Sequence, residues 1–479
     1  MKPVGSLLHL KTQIMKTTSS QMRSKHFAQF KTSAIDTWTF SSLLFIMMIL
    51  FSSCHKNMND VPANANTSSI QSDLQYKEVD ASVATDWYKL QLRFLLEKNS
   101  VLAFGGHFGY IGIGLYESVR NINPNSISLS EKLYQMSAMP VKKEGKTYNW
   151  QVSANAAMAS LVRSFYHGIT LADSASIDSL ENAYNQKLQN TNTEEFNRSQ
   201  AFGRNIATAI YNWYLTDDLN LSNVGYTLRV FKGAWVPTPP AFVNPPVIPY
   251  AGDARTFLEA DLHGVAPKYP AYSEDVNSVY YNIAKQVYNV SKKLTDEQKN
   301  IALYWVDQGD HVGYTPAGHD MSITTQAIEQ TNADLLKAAE TYAKAGIAER
   351  DATIICFRSK YKYTLIRPVS YIRKVIDTAW LPFIVTPPHP EYPAAHSLVT
   401  GSVMQAISGV LGYSIHITDH TYDFRGWSPR SFPTIFAAAK EAGISRLYGG
   451  IHYKLSIDIG LSMAQTIGTR IGSMRLHNE

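Results

Sequence analysis

The chain is 479 residues long, with 44 Lys plus Arg, 39 Asp plus Glu and two Cys. A hydrophobic content of 45% with 17% charged residues excludes a disordered chain, and two cysteines exclude a disulfide scaffold or a Cys-rich zinc module. The formal charge of +5 comes from the first 53 residues, where Lys2, Lys11, Lys16, Arg23, Lys25 and Lys31 face only Asp36; the remainder is formally neutral and nothing in it calls for nucleic acid.

Residues 1–53 read as a signal peptide of lipoprotein type. The apolar run Phe40–Phe51 is too short for a spanning helix, which takes ~20 residues. It ends in Ser52-Ser53-Cys54, so Cys54 is the expected lipidation site and the protein is expected in the cell envelope, membrane-anchored through lipid. Residues 54–75 are polar and Asn/Ser-rich and read as a flexible tether. Residues 76–479 read as a single all-α domain, a multi-helix bundle of about a dozen helices. Helical spacing marks Val83–Lys98, Val101–Arg120, Ala154–Tyr166 and Ala172–Tyr214, the last broken near Thr191–Thr193. Residues 233–252 are proline-rich and predict a long ordered loop laid over the helices. Helical patterns resume at Ser273–Lys293, Thr295–Trp305, Thr324–Ala345, Ala348–Ile366, Ala395–Leu411, Thr434–Tyr448 and His452–Arg475. Cys356, in an apolar context, reads as a core thiol.

Three segments within 360–458 carry the candidate chemistry. In the first, Lys360 and Arg367 are seven apart, within ~20° of two full turns, so a continuous helix puts both on one face. Pro368 sets Arg367 at a helix end. In the second, Pro390–Pro393 precede the helical pattern that begins at Ala395, so the amides of Ala394–His396 lie at a helix N-terminus, a natural anion site with a histidine at hand. In the third, Arg446 and His452 are six apart and would diverge on one helix, but Gly449-Gly450 breaks it and lets His452 turn back toward Arg446. One Lys, two Arg, two His and a helix N-terminus suit a tetrahedral oxyanion such as phosphate or vanadate. Acidic ligands for magnesium or calcium are lacking.

Lys360-x6-Arg367-Pro368, Pro393-Ala394-Ala395-His396 and Ser445-Arg446-x5-His452, in that order, resemble the vanadium-dependent haloperoxidase and type 2 phosphatidic acid phosphatase superfamily. Gly233–Pro240, Tyr304–Gly309 and Thr315–His319 resemble segments of its haloperoxidase branch. The resemblance implies the helical fold of that superfamily. It also implies a vanadate-dependent enzyme that oxidises halide with hydrogen peroxide. Lys360, Arg367, Arg446 and the Ala395 amide would bind the oxyanion, His452 would be the vanadate ligand and His396 the acid–base group. The alternative is a cofactor-free acid phosphatase acting on a phosphate ester through a phospho-His, and a third reading is a non-catalytic phosphate-binding lipoprotein. Two positions depart from the family pattern. Ala394-Ala395 replaces the usual Ser-Gly, and Ser456 stands where an aspartate would orient His452, with Asp458 a poor substitute. Asp307 is a candidate buttress for Arg367 or His396, His389 a candidate entrance residue, and His311 and His319 read as structural.

Overall fold

The structure, a computed structural model, describes residues 78–98, 106–189, 192–307 and 313–478. The signal segment, Cys54, the tether and His311 lie outside them. Among the described residues there are thirteen α-helices and two three-residue strands, as an all-α bundle requires. The first five are α1 (Ser82–Lys98), α2 (His107–Val119), α3 (Trp150–Phe165), α4 (Leu171–Leu188) and α5 (Thr193–Tyr214). The break between α4 and α5 falls where expected, and Asn192 caps α5 by accepting from the amides of Glu194 and Glu195. Then come α6 (Val279–Ser291), α7 (Asp296–Tyr304), α8 (Pro316–Gln330), α9 (Leu335–Tyr363), α10 (Pro368–Val375) and α11 (Ala395–Leu411). Strands β1 (Ile417–Asp419) and β2 (Arg430–Phe432) pair antiparallel ahead of α12 (Ile435–Tyr448) and α13 (Lys454–Gly472). None of these helices is long and apolar enough to cross a membrane.

α9 is the axis on which the site is built. The expected break between Ala345 and Ala348 does not occur; α9 runs unbroken through it. The chain turns earlier, where Asn332 adopts a positive φ and Asp334 caps α9 through the Lys337 amide. Gly346 is retained mid-helix because α2 lies against it: a Cβ there would stand 2.5 Å from Gly109 Cα, and one on Gly112 would stand 2.6 Å from the Tyr342 carbonyl oxygen. All thirteen residues of α2 are buried. At its other end α9 stops at Tyr363, with Thr364 left-handed and its amide bonded to the Lys360 carbonyl.

That stop corrects one expectation. Arg367 does not share a helix face with Lys360. Beyond the left-handed Thr364 the chain has left the helix, and Arg367 is the residue preceding α10, whose first residue is Pro368. The proline-rich loop holds the non-helical segment 364–366 in place. The Trp235 amide bonds the Thr364 carbonyl at 2.7 Å and the Ile366 amide bonds the Gly233 carbonyl at 3.0 Å. Further along the loop, the Val247 amide bonds the Pro388 carbonyl at 3.1 Å. The loop is ordered because it supplies the backbone partners that two non-helical segments lack.

Close approach of α2 and α9 predicts the response to added volume. Gly112→Val should lower stability by ~1–3 kcal/mol through overpacking, read as a fall in the urea midpoint at unchanged slope.

Candidate active site

α9, α11 and α12, with the segment 384–396 and the turn 449–452, enclose a cavity of about 470 Å³. Asp307, His389, Ala395, His396, Arg446 and His452 line it beside a largely apolar wall that includes Val247, Phe357, Ile384 and Pro387. The second and third motif segments therefore meet at the cavity, although nearly fifty residues separate them along the chain; Lys360 and Arg367 are not on its wall and join the site through hydrogen bonds to the segments that are.

His452 reaches the site through the Gly449-Gly450 turn. Gly450 has φ +77°, and the amides of Ile451 and His452 both bond the Arg446 carbonyl, at 3.1 and 3.4 Å. The chain thus folds back over the end of α12, and α13 begins only at Lys454. The His452 ring is buried, and its Nδ1 lies 2.7 Å from Glu391 Oε1. Glu391 Oε1 also accepts from the Tyr453 amide at 3.1 Å. A carboxylate at Nδ1 places the proton there and leaves Nε2 with its lone pair. Nε2 faces Arg367 Nη1 at 3.1 Å. Burial, then Arg367 and Lys360, hold the ring well below the usual histidine range, so it is neutral.

Glu391 is a functional residue that the motif reading missed, and it corrects the expectation of an unbuttressed His452. The carboxylate comes from the second motif segment, not from the fourth position after the histidine. Ser456 is buried next to Glu391, with its hydroxyl close enough to favour the charged form of that carboxyl. Asp458 is engaged with Lys454 at 2.5 and 2.7 Å, as a poor substitute would be. A signal was present in the sequence: Glu391 is the one acid in the stretch Pro387–His396.

The three cations are all buried. Lys360 Nζ donates to the carbonyls of Pro390, Glu391 and Pro393 at 3.2, 2.9 and 2.5 Å, tying α9 to the second motif. Arg367 donates through Nε to the His389 carbonyl and through Nη1 to the Ile451 carbonyl, both at 2.9 Å. Its Nη2 lies 3.0 Å from His389 Nδ1. Arg446 Nε donates to Ser445 Oγ at 2.9 Å and its Nη2 to the Trp305 carbonyl. Burial lowers all three from their ordinary values, Arg367 and Arg446 to about 10. His389 lines the cavity and is held neutral by burial, then Arg367 and Lys360.

His396 opens α11 and lines the cavity. The residue before the helix, Ala394, offers no side-chain cap, so no hydroxyl competes for the first-turn amides of Ala395 and His396. His396 Nε2 lies 3.2 Å from Asp307 Oδ2. Asp307 therefore buttresses His396; Arg367 has no contact with it. Asp307 Oδ1 also accepts from Tyr422 Oη at 2.6 Å and meets His319 Nδ1 at 3.0 Å. Burial would raise this carboxyl, but His319 and then His396 outweigh it and hold it far below the usual range. His396 itself is lowered to about 4, by burial first and Arg446 second, with Asp307 opposing.

The family described as the VCPO second helical-bundle domain matches residues 340–476. The fold is similar to the crystal structure of the first bacterial vanadium-dependent iodoperoxidase, with a TM-score of 0.74 and 30% identity over 84% of this chain and 98% of that one. It shares the fold of bacterial vanadium-dependent chloroperoxidase. The holo-type structure gives a TM-score of 0.61 at 14% identity over 84% of this chain and 99% of that one, and the apo-type 0.58 at 15% over 78% and 94%. No curated protein sequence matches. This chain belongs to the vanadium-dependent haloperoxidase family and is an enzyme of that superfamily; the phosphatase alternative is not favoured.

The two carboxylate assignments make opposite predictions. Glu391→Gln should lower activity or oxyanion affinity ~10- to 100-fold, because the amide no longer fixes the Nδ1 proton. Ser456→Asp should give no gain, since the ring is already oriented and a second carboxylate beside Glu391 adds like-charge repulsion. Phosphate and vanadate titrations of the two variants, alongside steady-state rates, check both.

Proposed function

We propose that the enzyme holds vanadate at this site and oxidises halide with hydrogen peroxide, iodide being the first halide to test. The observation that carries this reading is His452 at the cavity wall: its Nδ1–H is committed to Glu391, so its Nε2 is the lone-pair nitrogen, which accepts from Arg367 Nη1 and would turn to vanadium when vanadate binds. The donor set fits an oxyanion of vanadium. A neutral imidazole nitrogen would hold the metal, and Lys360, Arg367, Arg446 and the first-turn amides of α11 supply positive charge around it. Vanadate, when bound, supplies a Lewis-acidic centre that activates peroxide without changing its own oxidation state.

The chain's own residues do the rest. Glu391 orients His452. Asp307 holds the Nε2–H of His396 and leaves Nδ1 as the basic nitrogen, so a neutral His396 takes a proton from peroxide and returns it when oxygen is transferred to halide. A bound anion beside His396 raises its proton affinity and adapts it to the second half of that cycle. Arg446, lining the cavity, favours entry of a small anion. The apolar wall limits water around the reacting atoms.

The deciding experiment is peroxide-dependent iodide oxidation with and without added vanadate. Activity only with vanadate, inhibited competitively by phosphate, is expected; hydrolysis of an aryl phosphate without halide oxidation would return the site to the phosphatase reading. His452→Ala should abolish turnover and vanadate retention together. His396→Ala should retain vanadate but lose ~100- to 10,000-fold in rate. Equal loss of vanadate binding in both variants would show the roles to be misassigned.

We also propose that the chain is exported and anchored through lipid on Cys54, on the strength of the Phe40–Cys54 sequence alone. Mass spectrometry of the mature N-terminus should find an acylated Cys54, and cleavage elsewhere would end this proposal.

A further inference from the structure

His319, which the sequence offered only as a structural residue, has a place in the site that its motif position does not reveal. It is fully buried on α8, and both ring nitrogens face carboxylates: Nδ1 lies 3.0 Å from Asp307 Oδ1 and Nε2 lies 2.9 Å from Asp419 Oδ2. A neutral imidazole has one N–H, so one of these contacts would set a lone pair against a carboxylate oxygen. Protonating a carboxyl instead is disfavoured, because each already accepts other donors. Asp307 accepts from Tyr422 Oη at 2.6 Å, and Asp419 Oδ1 accepts from the Thr421 amide at 2.9 Å. The doubly protonated ring satisfies every contact. The Trp305 ring lies over it, centroids 4.4 Å apart and planes 21° from parallel, an arrangement that favours a cation.

The charges around this ring are few. Asp307 comes from the end of the α7 segment, Asp419 from β1 and Asp320 from α8 itself. Asp320 is fully buried and raised to about 8, burial being the main cause, so it is neutral. Burial alone would lower His319, but Asp307 and Asp419 overcome it and raise it to about 10. His396, on the far side of Asp307, is faced by Asp307, Arg446 and, one layer behind, His319. An isolated buried carboxylate against His396 would draw a proton onto that ring. Burial and Arg446 lower the ring, Asp307 pulls against them, and His319 behind Asp307 adds to the lowering.

We propose that His319 is a fixed internal cation that serves as a positioning residue: it cancels the charge of Asp307, so that Asp307 orients His396 without protonating it. The network Asp419–His319–Asp307–His396 thus lets one carboxylate fix a tautomer while leaving a working base. This rests on the role given to His396 above, but its test does not need turnover.

The test is histidine side-chain nitrogen NMR on the full chain without added vanadate, assigned with single-histidine variants. In the wild type, His319 should carry protons on both nitrogens and not titrate between pH 5 and 9, while His396 titrates below pH 5. In His319→Gln, whose amide still donates to Asp307 without the charge, the His396 midpoint should rise by at least about one unit, a tenfold change in proton affinity. The acid limb of iodide oxidation should move with it. A merely structural role would lower stability or rate but leave the His396 midpoint where it was. A wild-type His319 that is singly protonated at pH 8 overturns the proposal, as does an unmoved His396 midpoint in folded His319→Gln. If that variant does not fold, the wild-type titration decides alone. A shifted His396 midpoint in a protein that oxidises no halide would sink the functional reading and leave this one standing.

Discussion

Three cations taken out of water set the terms for the rest of this structure. Lys360, Arg367 and Arg446 are each almost fully buried, and an uncompensated buried charge costs several kcal/mol. Lys360 and Arg367 have one carboxylate near them, Glu391. Backbone carbonyls carry most of the load: those of Pro390, Glu391 and Pro393 around Lys360, of His389 and Ile451 around Arg367, and of Trp305 at Arg446. Carbonyls can turn toward a cation only where the chain is not helical. This is why the site sits at helix ends and in the segments between them, and why a proline-rich loop is needed to hold those segments. Cations held by neutral dipoles keep an unspent positive field, which is what an oxyanion site requires.

The same economy explains how the site works without the expected aspartate after His452. Orientation of that ring needs a carboxylate at Nδ1, and any segment that reaches it will do. Glu391 reaches it from between Pro390 and Pro393, a stretch already tied down by Lys360. One short segment therefore supplies the buttress for His452, the carbonyls for Lys360 and the start of the helix that carries His396. A change there should be felt by both histidines at once, whereas Ser456 is left as a small buried residue whose hydroxyl acts on Glu391 and not on the ring.

The two histidines are kept neutral by different means. At His452, the surrounding cations and burial do it, with Glu391 directing the proton to one nitrogen. At His396, burial and Arg446 do it against the pull of Asp307, whose charge His319 shares. Ala394 and Ala395 fit this division. Without a hydroxyl ahead of α11, no side chain caps its first-turn amides.

The sequence by itself determined most of the helices, the order of the three motifs and the histidines and cations that make up the candidate site. It did so because helix periodicity, proline and glycine breaks and motif spacing are local, and Ala395–Leu411 and the Gly449-Gly450 turn fall where local rules put them. The continuity of α9 through Gly346 was not legible, because it depends on α2 filling the groove that the glycine leaves. Nor was the separation of Arg367 from Lys360's helix, which depends on the loop at Gly233–Trp235 pairing with residues 364–366. The partners of the two site histidines were decided by tertiary structure alone. Glu391 stands 61 residues before His452, and Asp307 89 residues before His396. A carboxylate acts on an imidazole through distance and angle in space, and no spacing along the chain records either.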